Sequence, residues 1–216
     1  MRRGATGATG SHHKRSRYRI PLQAKLIMEN TTLPTLLIRA GTLISALWVL
    51  VAAGPANATV SDLAANGFTL KIEAHIAAPP DKVYAALIVP ARWWDSDHTF
   101  SHDAANLHLD ARAGGCWCET LPNGGSVAHL FVVYAAPGKA LRLRGALGPF
   151  QALAVDGALT WSVKPGGNGT DLTATYALGG YVKEGFGELS QAADGVLTSA
   201  VGRLQRLLET GSPAGH

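Results

Sequence analysis

The stretch from Phe68 to Trp94 does most to restrict what this chain can fold into. Phe68, Leu70, Ile72, Ala74 and Ile76 alternate with Thr69, Lys71, Glu73 and His75, the period of a strand with one buried face. Pro79-Pro80-Asp81 closes that strand and opens a helix. Pro80 suits a first helical position, and Asp81 sets a carboxylate at the positive end of the helix. Val83, Tyr84, Leu87 and Ile88 supply an apolar face, Pro90 ends the helix, and Pro90 to Trp94 reads as one further helical turn. A strand followed by a short helix pair, at the head of a mostly β chain, is an uncommon order.

Downstream the pattern is strand and turn. Leu107, Leu109 and Ala111 alternate with His108, Asp110 and Arg112. Gly114-Gly115 leads into Cys116–Leu121, Pro122-Asn123-Gly124-Gly125 turns, and Ser126–Tyr134 is a long strand. Pro137-Gly138, Gly148-Pro149 and Pro165-Gly166-Gly167-Asn168-Gly169 separate Ala140–Leu147, Ala158–Lys164 and Thr170–Leu178. Such a run of hairpins makes the sheet antiparallel. A long helix, about Gly185 to Leu208, finishes the chain, with Phe186, Leu189, Ala193, Val196, Leu197, Ala200, Leu204 and Leu207 at spacings of three and four. Gly187, Gly195 and Gly202 are out of place there, each costing about 1 kcal/mol relative to Ala. Either they permit close packing on the sheet or they leave room for a ligand beneath the helix.

The first 58 residues are not domain material. Leu33 to Ala53 is almost uncharged, Arg39 and the upstream basic residues flank it, and Gly54-Pro55 is followed by Ala56-Asn57-Ala58. This is the pattern of a secretory signal cleaved after Ala58, the other reading being an uncleaved membrane anchor. Residues 1–27 make the leader long, and a start at Met28 gives a more usual length. The chain carries 19 Lys+Arg against 15 Asp+Glu, a net of +4. Eight of those bases but only Glu29 of the acids precede Thr59, leaving 11 against 14 and a net of −3 in the mature part. No basic stripe survives, which excludes a nucleic-acid partner. The expected organisation is leader 1–58, linker 59–67, one domain over 68–209, and a polar tail 210–216.

The element order, with Ile76-Ala77-Ala78-Pro79-Pro80-Asp81-Lys82-Val83-Tyr84, Arg112-Ala113-Gly114-Gly115, Pro137-Gly138-Lys139-Ala140-Leu141-Arg142-Leu143 and the final amphipathic helix, resembles the START-like or Bet v 1-like (SRPBCC) superfamily. Within it, the chain most resembles the branch named after the activator of Hsp90 ATPase. The resemblance implies an α+β helix-grip fold: a curved antiparallel sheet of about seven strands wrapped on the long C-terminal helix. It also implies a deep apolar cavity roofed by that helix, used in the superfamily for lipids, polyketides, other hydrophobic molecules or no known ligand. The Hsp90 partner does not carry over to an exported protein.

Cys116-Trp117-Cys118 is the sharpest local feature. A hairpin through Asn123-Gly124 that pairs Leu121 with Ser126 sets Cys118 opposite His129 and Cys116 opposite Phe131. A hairpin from Tyr134 to Ala140 then sets Phe131 opposite Leu143. Leu141 and Leu143 alternate with Arg142 and Arg144, so this register places Cys116, Cys118, His129 and Phe131 on the inner face and Trp117 and Glu119 on the outer. Three readings stay open for the cysteines: a labile disulfide, favoured by an oxidising compartment; a soft-metal site with His129, lacking a fourth ligand; or two small buried residues. Trp93 and Trp94 are read as core and cavity wall, Tyr181 as a polar group at the cavity mouth, and Gly195 as part of the cavity. Phe131 and Val196 are counted in the core. The loop Asp95 to Asp103 is a solvated rim rather than a metal site. His75 and His108 face outward and carry no assigned role.

No paired acid and base, nucleophile motif, phosphate loop or metal-ligand quartet is encoded by spacing. The leading expectation is an exported protein that binds a small hydrophobic molecule or lipid, with no cofactor and with membrane contact only through an uncleaved signal. One alternative is a polyketide cyclase-like enzyme using His129 or Tyr181 as general acid or base. Another is an interaction module with a closed cavity.

Overall fold

The computed structural model describes residues 57–214 of the protein. Eight strands are present: β1 (Asn57–Ala64), β2 (Gly67–Ile76), β3 (Leu107–Leu109), β4 (Cys116–Thr120), β5 (Ser126–Ala136), β6 (Ala140–Arg144), β7 (Ala154–Gly166) and β8 (Gly169–Tyr181). Two α-helices, α1 (Pro80–Leu87) and α2 (Gly187–Thr210), and several short 3-10 turns complete them. The strands form one antiparallel sheet in the order β1-β2-β8-β7-β6-β5-β4-β3. This is the helix-grip α+β architecture, with one strand more than expected. The extra strand is β1, in the stretch read as a linker. It pairs with β2 from Asn57↔Glu73 to Ala64↔Gly67. The leader, its apolar centre and Met28 lie outside the described residues; the Ala58–Thr59 boundary falls within β1. Among the described residues no helix is long and apolar enough to cross a membrane.

The local reasons match the sequence pattern. The even positions of β2 are buried from Phe68 to Ile76. In α1, Pro80 opens the helix and Asp81 sits in its first turn, while Val83, Tyr84, Ala86 and Leu87 are buried. At the end of α2, Gly211 takes φ 83° and its N–H donates to the Leu207 carbonyl, a left-handed C-terminal cap that a residue with a Cβ adopts at a cost.

The buried stripe of α2 is Ala193, Leu197, Ala200, Val201, Leu204 and Leu207, and it packs against β2 and the sheet beside it. At one end of the core, Phe68 meets Tyr176 and Phe186 edge to face at 6.2 and 6.0 Å. At the other, Trp93 contacts Trp94, Trp117 and Trp161 at 5.6, 6.1 and 6.0 Å, and Trp94 contacts Trp117 at 5.0 Å. Arg203 fixes α2 to this indole cluster. Its Nε donates to the Trp93 carbonyl at 2.9 Å, its Nη2 donates to that of Trp94 at 3.3 Å, and its guanidinium lies 3.4 Å from Asp95.

Two β-bulges correct the register expected for the middle of the sheet. The first hairpin pairs Thr120 with Ser126 rather than Leu121 with Ser126, so Cys118 faces Ala128 and not His129. An irregularity between Trp117 and Cys118 then restores Trp117↔Leu130 and Cys116↔Phe131, leaving His129 as the extra residue. The second hairpin is tight, Ala136↔Ala140, and a further irregularity at Val133 sets Phe131 opposite Arg144 and Val132 opposite Leu143. The faces are therefore inverted from expectation. Trp117 and Glu119 are buried, Cys116 and Cys118 lie on the outer side of β4, and Phe131 is 50% exposed. Val196, also counted in the core, is only partly buried.

Candidate functional site

A cavity of about 410 Å³ opens between α2, the β3–β5 end of the sheet and the loop 94–100. Its volume lies in the range of small-molecule sites. Leu189, Ala193, Val196 and Leu197 form its α2 wall, Trp94, Leu107 and Trp117 one side, and Leu147 to Phe150 the other. The wall is apolar because α2 sets a leucine and alanine stripe against indole faces. Polar side chains interrupt it at depth, among them His129, Tyr176 and the buried indole of Trp117.

His129 is buried because it alternates with Val127, the partner of Glu119, and the bulge beside it turns Leu130 inward as well. Such bulges re-aim a side chain without ending the ladder. Its Nε2 lies 2.9 Å from Glu119 Oε2 on β4. Glu119 is fully buried, and it is compensated by three donors: His129, the Phe100 backbone N–H at 3.2 Å, and the Ser101 backbone N–H. Burial pushes the Glu119 carboxyl up, but its contacts with Ser101, His129 and Phe100 outweigh this and hold it below the usual carboxylate range. Burial also holds the His129 imidazole below its ordinary value, against the opposing pull of Glu119. The pair therefore consists of a carboxylate and a neutral imidazole. A carboxylate only accepts, so Nε2 carries the ring proton and Nδ1 carries the lone pair. Nδ1 is buried and has no hydrogen-bond partner. Phe100 stacks on the imidazole, with centroids 5.9 Å apart and planes 29° apart, and fixes its plane.

Tyr176 on β8 accepts a hydrogen bond from the Leu147 backbone N–H at 3.1 Å. Burial pushes its phenol up to about 12, so the hydroxyl keeps its proton and remains a donor. Trp117 Nε1 is buried without an acceptor. By contrast the Trp93 and Trp94 indoles donate to the carbonyls of Ala86 and His98, each at 3.0 Å.

Of the residues singled out from sequence, Trp94 and His129 line the cavity. Trp93 lies behind Trp94 in the core at 1% exposure. Tyr181 is 70% exposed and contributes nothing to the cavity. Gly195 faces solvent, and a Cβ there would meet nothing within 4 Å. It neither packs closely nor leaves room for a ligand, and Gly187 is placed similarly. Cys116 and Cys118 are joined as a disulfide on the outer face, their Cα atoms 5.4 Å apart. His129 points to the opposite face, so the three do not converge on a metal. Among the described residues no group of three His, Cys, Asp or Glu side chains is placed to hold one. The loop read as a solvated rim instead contributes Asp97, His98, Thr99 and Phe100 to the cavity and two backbone donors to Glu119. Glu119 and Tyr176 belong to the site although the strand pattern alone does not single them out. The signal available for Glu119 is Trp117 two positions earlier, whose indole has far more apolar surface to bury than a thiol.

The sequence model of the family described as polyketide cyclase / dehydrase and lipid transport matches residues 68–209. The chain belongs to this family. The family lies within the START-like superfamily resembled by the sequence motifs; the narrower likeness to the Hsp90-activator branch rests on those motifs alone. No curated protein matches the chain. Among solved structures, it is similar to a conserved protein of unknown function from Enterococcus faecalis, with 17% identity over 69% of this chain and 75% of that one and a TM-score of 0.48. A Rhodobacter sphaeroides protein shows 19% identity over 70% and 97% of the two chains, with a TM-score of 0.48. A protein encoded in the dynemicin biosynthetic locus shows 25% identity over 68% of this chain, with a TM-score of 0.47, and the match spans 49% of its length.

Proposed function

We propose that this member of the polyketide cyclase / dehydrase and lipid transport family binds a small hydrophobic molecule beneath α2, as a carrier or sensor outside the cytoplasm. The observation that carries the reading is the cavity of about 410 Å³, walled by Leu189, Ala193, Val196 and Leu197 on the helix and by indoles on the sheet. Apolar surface of that kind gains free energy when a ligand displaces water from it. Export is supported by the apolar stretch before Gly54-Pro55 and by Ala56-Asn57-Ala58. N-terminal sequencing of the processed protein tests export: a start at Thr59 supports it, and a start upstream of Leu33 overturns it.

A second reading is favoured by one contact. The Glu119 carboxylate fixes the His129 tautomer, the arrangement by which a general base is oriented. A polyketide cyclase-like enzyme would use His129 in that role; Tyr181, exposed and remote, drops out. An interaction module with a closed cavity finds no support in this packing. Mass spectrometry of molecules extracted from natively purified protein separates the two surviving readings. A retained lipid or isoprenoid supports the carrier. An empty protein that turns over a candidate substrate, and loses activity on His129→Ala, supports the enzyme.

A further inference from the structure

The outer face of the sheet carries a group of side chains that the cavity does not use. Cys116 and Cys118, both half-buried, are joined as a disulfide that encloses a single residue, Trp117. By the chain-entropy account a cross-link gains stability with the length of the loop it closes, so this one contributes little to the fold. The ladders on either side place its neighbours. His108, on the edge strand β3, stands directly opposite Cys118, and Phe131 on β5 stands directly opposite Cys116. Directly opposed residues of an antiparallel pair share a face, with Cβ atoms about 4.5–5.5 Å apart. His108 is exposed, Phe131 is 50% exposed and Val133 beyond it 49%. A disulfide on the solvent side of the sheet thus has an imidazole beside one cysteine and an apolar surface beside the other.

We propose that Cys116 and Cys118 form a thiol–disulfide exchange site, separate from the cavity, that takes two electrons from a pair of cysteine thiols on a peptide with apolar side chains. Exchange is faster the more readily the departing sulfur leaves as a thiolate, and a neighbouring imidazolium favours the thiolate. His108 therefore makes Cys118 the leaving sulfur and Cys116 the one attacked. A substrate thiolate bonds to Cys116 Sγ, the Cys116–Cys118 bond breaks, and the electron pair leaves on Cys118 Sγ beside the imidazole. The substrate's second thiolate then attacks the substrate sulfur of this mixed disulfide, closing a substrate disulfide and releasing Cys116 as a thiolate. The substrate is oxidised and the protein disulfide reduced; the two protons the substrate thiols give up are matched by the two the cysteines take. The same steps reversed return the electrons to another disulfide. Phe131 and Val133 supply the apolar contact beside the attacked sulfur.

The test uses the whole chain, purified in air, and a reduced two-cysteine peptide with phenylalanine flanking each cysteine. A matched peptide with glycine in place of phenylalanine is the comparison. Alkylation at timed intervals, read by mass spectrometry, counts the thiols of both partners. Before the peptide is added the protein should take up no alkyl group; afterwards it should gain two as the peptide loses two. The phenylalanine peptide should react about threefold faster or more. His108→Gln, at an exposed position, should keep the wild-type melting temperature and react about fivefold more slowly or less. Two free thiols in the air-purified protein, or a disulfide that the peptides leave intact, overturns the exchange site. An undiminished rate in folded His108→Gln overturns the role of His108, and equal rates for the two peptides overturn the apolar selection. None of these outcomes bears on ligand binding in the cavity, which lies on the opposite face.

Discussion

Glu119 and His129 sit on adjacent strands and meet 2.9 Å apart in the interior: the hairpin sets Glu119 opposite Val127, and His129, two residues further along β5, shares that face. They meet beneath a loop whose backbone N–H groups complete the carboxylate's hydrogen bonding, and the bulge that follows turns Leu130 inward as well, opposite Trp117. A buried ionised group becomes tolerable only when it is fully hydrogen-bonded.

That arrangement makes a stability prediction for Glu119→Ala. The substitution strands the Phe100 and Ser101 backbone donors and His129 Nε2 in the interior. Urea unfolding should show a loss of about 3 kcal/mol, and hydrogen exchange should speed up first at the Phe100 and Ser101 amides. A loss under about 0.5 kcal/mol would mean that the carboxylate is not buried as described.

Both members of the pair make stability fall with acidity. The His129 pKa is held below 6.5, so below that pH the unfolded chain binds a proton that the native chain refuses; its contribution is present above 6.5 and lost as pH falls. Glu119 is held below 4.5, and its contribution is lost in a second, more acidic window. His75 has the opposite sign. Its pKa is raised by hydrogen bonds to Asp171 and Asn168, so its contribution is present below 6.5 and lost as pH rises through its folded pKa. The clean measurement is therefore a difference: the melting temperature of His129→Gln should fall less than that of the wild type between pH 6.5 and 5. Parallel curves would contradict it.

The disulfide should matter little to either fold or cavity. Cys116 and Cys118 are two residues apart and point away from the cavity, so the loop they close is about as short as a loop can be. The double substitution of both cysteines by Ser should cost less than about 2 kcal/mol and leave ligand affinity unchanged. A large loss of binding on reduction would show coupling through Trp117, which lies between them.

Gly195→Ala should stabilise the protein by up to about 1 kcal/mol. The added Cβ meets nothing within 4 Å and the position is exposed. Thermal unfolding reads the gain. A destabilised variant would mean that this part of α2 packs on something the described residues lack.

The contrast between fold and site follows from what a sequence period can carry. The alternation from Phe68 to Ile76, the Pro79-Pro80-Asp81 junction and the stripe of α2 are local, and each is realised at the expected place. The cavity residues depend on which face each middle strand presents. Two extra residues, His129 in one ladder and Val133 in the next, change that face, and neither carries a turn residue or a glycine to announce it. Unbroken alternation puts Phe131 inward and Glu119 outward, the reverse of what the ladder shows. Tyr181 departs for another reason: β8 runs on to that residue, and its last two positions, Gly180 and Tyr181, are exposed.

The central claim is that the space beneath α2 is a ligand site, and Ala193 tests it most directly. This residue is 5% exposed and lines the cavity from the helix, so a phenyl ring at that position takes up space a ligand would fill. Calorimetric titration of 2-naphthol into the wild type and Ala193→Phe, with thermal unfolding of both, is the decisive pair. The account predicts one site in the wild type, at least a tenfold loss of affinity in Ala193→Phe, and a melting temperature that does not fall. Undiminished binding by a stably folded Ala193→Phe, or no binding by the wild type, would contradict it.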